Sequence, residues 1–324
     1  MSQVPRTATS TAAPTPHAVR PLVPTDWRRW LQLALAAIWV FDGILQYQTY
    51  MFSSDFSASF LPGMAEGNPE WIASSILWAA HIVEGNPVLI NAGFATLQLG
   101  IGVAIAFRPT LRVGLAVSIV WSLGVWWFGE GLGMLLTGGA SALAGAPGAV
   151  LLYAVLALLL WPTVKDTSTS FVAAQPVGVP AAKTVWVVLW GGLAALNLQP
   201  SQLTADSVNS TVSGMGDGQP GWVSFLINRF AEISDHNGVA LSIIGAIILA
   251  LVAVGIILPR RWTRAVLVAA VVVAAFIWVM GEALGAPFGG QGTDVNSGPL
   301  LALIALAYWP TTTKAVTTST GVLA

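Results

Sequence analysis

Eight apolar stretches divide this chain, and the charges between them alternate from one loop to the next. The stretches fall at 30–50, 87–107, 112–129, 148–162, 184–199, 239–258, 263–281 and 297–310. A helix of about 20 apolar residues crosses a bilayer, and somewhat fewer suffice where neighbours shield its ends. Twelve of the thirteen Lys and Arg lie in loops that alternate crossings place on one side: Arg6, Arg20, Arg28, Arg29, Arg108, Arg112, Lys165, Lys183, Arg260, Arg261, Arg264 and Lys314. Only Arg229 falls on the other side, where Asp55, Glu66, Glu70, Glu84, Asp206, Asp217, Glu232, Asp235 and Asp294 collect. Basic loops stay in the cytoplasm, so both termini are expected there. A miscounted span would destroy this segregation.

Composition supports the same reading. Charged residues make up 8% of the chain against about 25% for an ordinary soluble domain, too few to wet a water-facing surface. Lipid is the expected solvent. A net charge of −1 gives no reason to expect nucleic acid as a partner. The chain has no cysteine, which excludes disulfides, thiolate nucleophiles and zinc–thiolate sites of its own. No nucleotide-binding loop, HExxH pair or serine elbow appears.

The two halves match. At an offset of 151, Gly63-Met64 through Pro69-Glu70-Trp71 meets Gly214-Met215 through Pro220-Gly221-Trp222, while Trp39 meets Trp190 and Gln48 meets Gln199. At 152, Trp126 through Gly133 meets Trp278 through Gly285, with Glu130 opposite Glu282, and Trp161-Pro162 and Trp309-Pro310 close the halves. Shared Leu and Val would follow from two greasy sequences; matched Gly, Pro, Trp and Glu would not. The expected fold is an all-α membrane protein of eight transmembrane helices in two tandem parallel four-helix repeats. Its parts would be a disordered tail (1–26), a first repeat (27–162), a linker (163–183), a second repeat (184–310) and a C-terminal tail (311–324).

Candidate sites follow from polar groups in apolar surroundings. Glu130 and Glu282 each end an apolar run and precede an uncharged stretch. Ionisable groups at membrane depth are costly unless paired, protonated or facing water. Proton or cation binding is one role, and capping of backbone amides at a helix end is the other. Asp42 lies within the first span with Gln46 one turn on, where the second half has Leu193. It is a site candidate by the same rule, with an interhelical hydrogen bond as the alternative. The segment from Gly131 to Gly148 is too apolar for a solvated loop and too rich in Gly for one helix, so it predicts a re-entrant or capping element or close small-residue packing. Two amphipathic segments, Trp71 to Val83 and Trp222 to Ile233, predict surface helices. Near their ends, His81 with Glu84, and His236 with Glu232 and Asp235, are candidate metal ligands.

A unit that opens with Arg29-Trp30, runs through an apolar helix to Asp42-Gly43 and carries a short charged link before its third span resembles the DoxX/DoxD-like membrane proteins. The resemblance covers each half. It implies a non-catalytic membrane subunit or anchor of a quinone-linked redox system, with quinone as the cofactor and a redox-enzyme subunit docked on the outer face. From the residues alone, a proton-coupled small-molecule or ion transporter with its site between the repeats stands as the alternative, and a ligand-free scaffold as a third. High Ala, Val and Gly usage with strong charge segregation fits a bacterial inner membrane.

Overall fold

The computed structural model describes residues 26–163 and 171–311. Residues 1–25 and 312–324 of the expected tails, and residues 164–170 of the expected linker, lie outside them. Among the described residues there are helices and no strands.

Ten helices carry the fold. The first half has α1 (Trp27–Leu45), α2 (Glu70–Gly85), α3 (Pro87–Ala106), α4 (Leu111–Phe128) and α5 (Ala149–Leu159). The second has α6 (Val179–Leu196), α7 (Gly221–Ser234), α8 (Gly238–Gly255), α9 (Arg260–Phe276) and α10 (Ser297–Ala307). A helix thus occupies each of the eight expected apolar stretches, and α2 and α7 are the two amphipathic segments. Five segments are long and apolar enough to cross a membrane by length and composition: Pro87–Ala106, Arg108–Phe128, Val179–Leu196, Gly238–Gly255 and Arg261–Gly281. The expected number was eight. The other three fall short for visible reasons. α1 has 19 residues but carries Arg28, Arg29 and Asp42. α5 and α10 have 11 residues each, so they reach about 16 Å of a hydrocarbon core about 30 Å thick.

Packing follows the same plan in both halves. α1 packs along α3 and α6 along α8; α4 packs on α5 and α9 on α10, and α5 meets α10 where the halves join. Small residues permit the α1–α3 approach: a Cβ added at Gly102 would lie 2.7 Å from Val40 Cγ2 and 2.8 Å from the Ala36 carbonyl oxygen. Gly102→Ala should therefore cost roughly 1–3 kcal/mol through over-packing. Thermal unfolding in mild detergent measures it, and an unchanged midpoint would mean that the helices separate freely.

Polar side chains tie the apolar helices together. Arg29 Nη1 donates to the Ile105 carbonyl at 3.0 Å, and its other nitrogen Nη2 donates to the Ala106 carbonyl, so a cation caps the C-terminus of α3. Buried Gln32 donates to the Leu160 carbonyl at 2.8 Å. Trp39 Nε1 donates to Ser118 Oγ at 3.0 Å, and Trp186 Nε1 to the Val252 carbonyl at 2.9 Å. These two indoles are fully buried, as is Trp190, which is the second half's match for Trp39.

The second half begins earlier than position 184. Pro180 lies in the first turn of α6, where its missing N–H costs nothing, and the helix starts at Val179. Phe171 to Ala174, within the stretch expected as linker, are buried, and Phe171 stacks on Tyr308 at 5.2 Å between ring centroids.

Candidate functional site

After α4, and again after α9, the chain turns through residues in the left-handed region. Leu132 has φ 58° and Leu284 has φ 62°. These two leucines sit at matched positions, and a non-glycine residue pays a steric penalty there. Gly133 and Gly285 follow with φ 62° and 83°. A Cβ at Gly133 would strike the Pro147 carbonyl, and one at Gly285 would lie 2.7 Å from the Asp294 carbonyl oxygen. The chain therefore folds back tightly on the segment that leads into the next helix.

Trp and Glu fix that return. Trp126 Nε1 donates to the Pro147 carbonyl at 2.7 Å, and Trp278 Nε1 to the Val295 carbonyl at 2.9 Å, each two residues before a short helix. Glu130 Oε1 accepts from Val150 N–H at 3.3 Å. Glu282 Oε1 accepts from Ser297 N–H at 3.0 Å and from the Ser297 hydroxyl, and its Oε2 accepts from Gly298 N–H at 2.9 Å. Both carboxylates cap a helix N-terminus, where orphan amides and the dipole favour an anion. This was the structural alternative for the pair. The two are not equivalent: both Glu282 oxygens are occupied, whereas Glu130 Oε2 is buried with no hydrogen-bond partner.

The irregular segments between these turns and the short helices cross over. Residues 138–142 of the first half are held by the second: the Ala142 amide donates to Asn197 Oδ1 at 3.4 Å, Gln199 Nε2 to the Ala140 carbonyl at 3.1 Å and Gln202 Nε2 to the Gly139 carbonyl at 3.1 Å. Residues 292–295 of the second half are held by the first: Gln46 Nε2 donates to the Thr293 carbonyl at 3.0 Å, Gln48 Nε2 to the Gly292 carbonyl at 3.2 Å and Val295 N–H to Asp42 Oδ1 at 3.1 Å. Gln46 and Gln48 correspond to Asn197 and Gln199 at the offset of 151, so the exchange is reciprocal.

Each half holds a cavity that the other half's segment helps to close. The first, of about 410 Å³, lies among α1 to α5 with Thr293 and Asp294 in its wall. Asp42, Glu130, Tyr153 and Asp294 line it together, with Gln46 and Gln98. The Tyr153 hydroxyl donates to Asp42 Oδ2, and Tyr153 lies against Trp39 with ring centroids 4.4 Å apart. Its apolar wall includes Phe56, Trp78, Phe94, Trp121 and Phe128. Trp78, Ile82, Phe60 and Phe128 are also exposed, so the cavity opens through apolar side chains on the α2 and α4 side. Trp121 Nε1 is a buried donor without a partner. Among the described residues that line the cavity, none is basic.

The second cavity, of about 330 Å³, is bordered by Ser141 to Leu143 from the first half and contains no carboxylate. Ser141, Asn197, Gln202, Thr211 and Ser242 are its polar side chains.

Sequence reasoning and structure meet unevenly here. Asp42 and Glu130 converge on the first cavity. Glu282 does not line it; it lies buried at the start of α10, where burial pushes its carboxyl up to about 7 against three hydrogen bonds that favour the ionised form. Tyr153 and Asp294 were not singled out from the sequence. Tyr153 sits in an otherwise apolar run, and Asp294 reads as one more outer-loop acid; its signal was the uncharged stretch before it, from Ala283 to Thr293.

The proposed metal ligands separate. His81 Nδ1 lies 3.8 Å from Glu84 Oε2 on exposed α2. His236 instead neighbours Asp206 at 3.2 Å and Asp235 at 3.7 Å, and those three form the one described group whose spacing suits an ion. All are exposed, and His81 and Glu84 are not part of that group.

No known family profile, curated protein or solved structure matches the chain.

Proposed function

We propose that this protein is an integral membrane carrier that binds a membrane-soluble small molecule in the first-half cavity and exchanges it against protons. The observation that carries this reading is the cavity itself: carboxyls and aromatic rings line it together, and its exposed lining residues are apolar. A solute that partitions into lipid can reach such a site sideways, while the carboxyls exchange protons as it comes and goes. Membrane residence rests on the long apolar helices.

The wider architecture in this reading is eight spans in two tandem parallel repeats, with α2 and α7 against the membrane surface and both termini cytoplasmic in a bacterial plasma membrane. Matched left-handed leucines, matched Trp and Glu contacts and reciprocal glutamine bonds support the duplication. In the short fourth and eighth spans, the irregular segments supply the depth that α5 and α10 lack, because irregular backbone is tolerated where protein buries it.

One observation favours a second reading, the DoxX-like quinone-linked subunit. Trp121 and Glu130 both line this cavity, and Trp121 Nε1 and Glu130 Oε2 are buried without a hydrogen-bond partner. A quinone carbonyl would suit the first and a quinol hydroxyl the second. In that case a redox subunit on the acidic face would supply the electrons.

Mass spectrometry of small molecules extracted from protein purified in mild detergent tests both. A small amphiphile retained by the native protein and lost from Asp42→Asn and Glu130→Gln supports the cavity as the site. If that molecule is a quinone, the second reading replaces the first. Identical extracts from native and variant proteins would remove the cavity as a ligand site.

A further inference from the structure

We infer that the first cavity recognises a lipophilic organic cation, a protonated or quaternary amine carrying an apolar body. This rests on the carrier reading and names its substrate class.

Charge balance is the first observation. Asp42, Glu130 and Asp294 share one cavity, and among the described lining residues none is Lys, Arg or His. Asp42 receives the Tyr153 hydroxyl and the Val295 amide and has the Asp294 carboxyl beside it; Glu130 receives the Val150 amide, with the Ala149 amide close by and the Asp294 and Glu282 carboxyls as its charged neighbours. The donors are all neutral, and the charged neighbours are all acids. Neighbouring carboxyls in a dry site cannot all ionise, because each charge raises the cost of the next. Either protons or a foreign cation must neutralise them. An anionic solute is disfavoured, since no basic side chain lines the cavity to receive it and any ionised carboxylate would repel it.

The aromatic lining is the second. Trp39, Phe56, Trp78, Phe94, Trp121 and Phe128 present ring surface to the same space. Aromatic faces attract cations through their quadrupole, most strongly where water is excluded, and cages of such rings are the usual receptors for quaternary ammonium groups. A site built only for a neutral apolar solute would need the rings without the acids. The second cavity lacks the acids and most of the rings: no carboxylate lines it, Phe230 and Phe276 are its aromatic residues, and Leu193 holds the position matched to Asp42.

The third is the state of Glu130. Its Oε1 is engaged by α5, while Oε2 is buried and unpartnered. At the matched position in the second half, both oxygens of Glu282 are used by α10. The carboxylate at the first cavity is thus less completely used by its helix than its match in the second half.

Exchange then balances simply. A cation enters, one carboxyl gives its proton to bulk water, and the net charge of the cavity is unchanged. Benzyltrimethylammonium is a suitable probe, because it is permanently charged, and neopentylbenzene is its neutral isostere. Binding is read from quenching of tryptophan fluorescence, and proton release from a pH dye in weakly buffered detergent solution, using the full chain. The cation is expected to bind at least about tenfold more tightly than the isostere and to release about one proton per cation bound near neutral pH. Glu130→Gln should reduce both signals, with folding followed separately by circular dichroism. Equal affinity for the two probes, or cation binding without proton release, would overturn the cationic class while leaving the cavity as a site. Binding of neither probe, with the fold intact, would overturn both the class and the carrier reading.

Discussion

Glu282→Ala is expected to destabilise the protein by about 2–4 kcal/mol, and Glu130→Ala by clearly less. The sequence places these residues at equivalent positions, so a difference must come from what each carboxylate touches. Glu282 is buried and receives two amides and a hydroxyl at the start of α10. Removing it strands the Ser297 and Gly298 N–H groups in a site without water, and each buried unsatisfied donor costs about 1–3 kcal/mol. The Ser297 hydroxyl can turn to another acceptor and adds little. Glu130 holds the Val150 amide in a longer bond, and its second oxygen is unpartnered. Truncating it gives up one weak cap and also removes a costly buried carboxylate. Glu282→Gln should behave more like the alanine variant than Glu130→Gln does, because its amide nitrogen would face the Gly298 N–H or the Ser297 N–H. Chemical or thermal unfolding in one detergent compares the four variants. Equal losses for the two alanine variants would show that both glutamates serve the fold alone.

That contrast also marks how far the sequence could be read. Apolar runs located the helices, since burial in lipid leaves a signal about 20 residues long at each crossing, but several ends, such as those of α1, α6 and α9, lie a few residues from where the runs place them. Matched Trp126 and Trp278, Glu130 and Glu282, and Gly133 and Gly285 pointed to one repeated local structure, and capping was open as its meaning. The offset of 151 could not say that residues 138–142 fold onto the second half and 292–295 onto the first. A repeated sequence is the same whether its segments return to their own half or exchange. The exchange brings Asp294 beside Asp42 and Glu130, about 250 positions from the first of them in the chain. Tyr153 was hidden for another reason: one hydroxyl in an apolar helix is invisible to periodicity until its partner is known. Among the metal candidates, His81 beside Glu84 and His236 beside Asp235 follow from closeness in sequence, whereas Asp206 joins His236 only through the fold.

Asp42→Asn should leave the fold standing and weaken binding of a cationic probe by roughly 10–100-fold, about 1.4–2.8 kcal/mol. Both Asp42 oxygens are used, one by the Val295 amide and one by the Tyr153 hydroxyl. An asparagine oxygen can keep the Val295 bond, and its NH₂ can donate to Tyr153, whose hydroxyl then accepts instead of donating. The contacts survive with the polarity of one reversed, so stability should change little while a buried charge is lost. Asp42→Leu is the sharper variant, because Leu193 occupies the matched, buried position in the second half. It would leave Glu130 and Asp294 as the carboxyls of the first cavity. It also strands the Val295 amide, so some stability should be lost unless removal of the buried acid offsets it. Tyr153→Phe separates the roles. If Tyr153 only positions the carboxylate, its loss should shift the pH at which the probe binds and leave most of the affinity, and Asp42→Asn with Tyr153→Phe should be no weaker than Asp42→Asn alone. Additive losses would mean that the hydroxyl touches the ligand itself. Unaltered binding in Asp42→Asn would leave Glu130 and Asp294 to carry recognition, and Asp42 would then be a strut between α1 and the segment that crosses over from the second half.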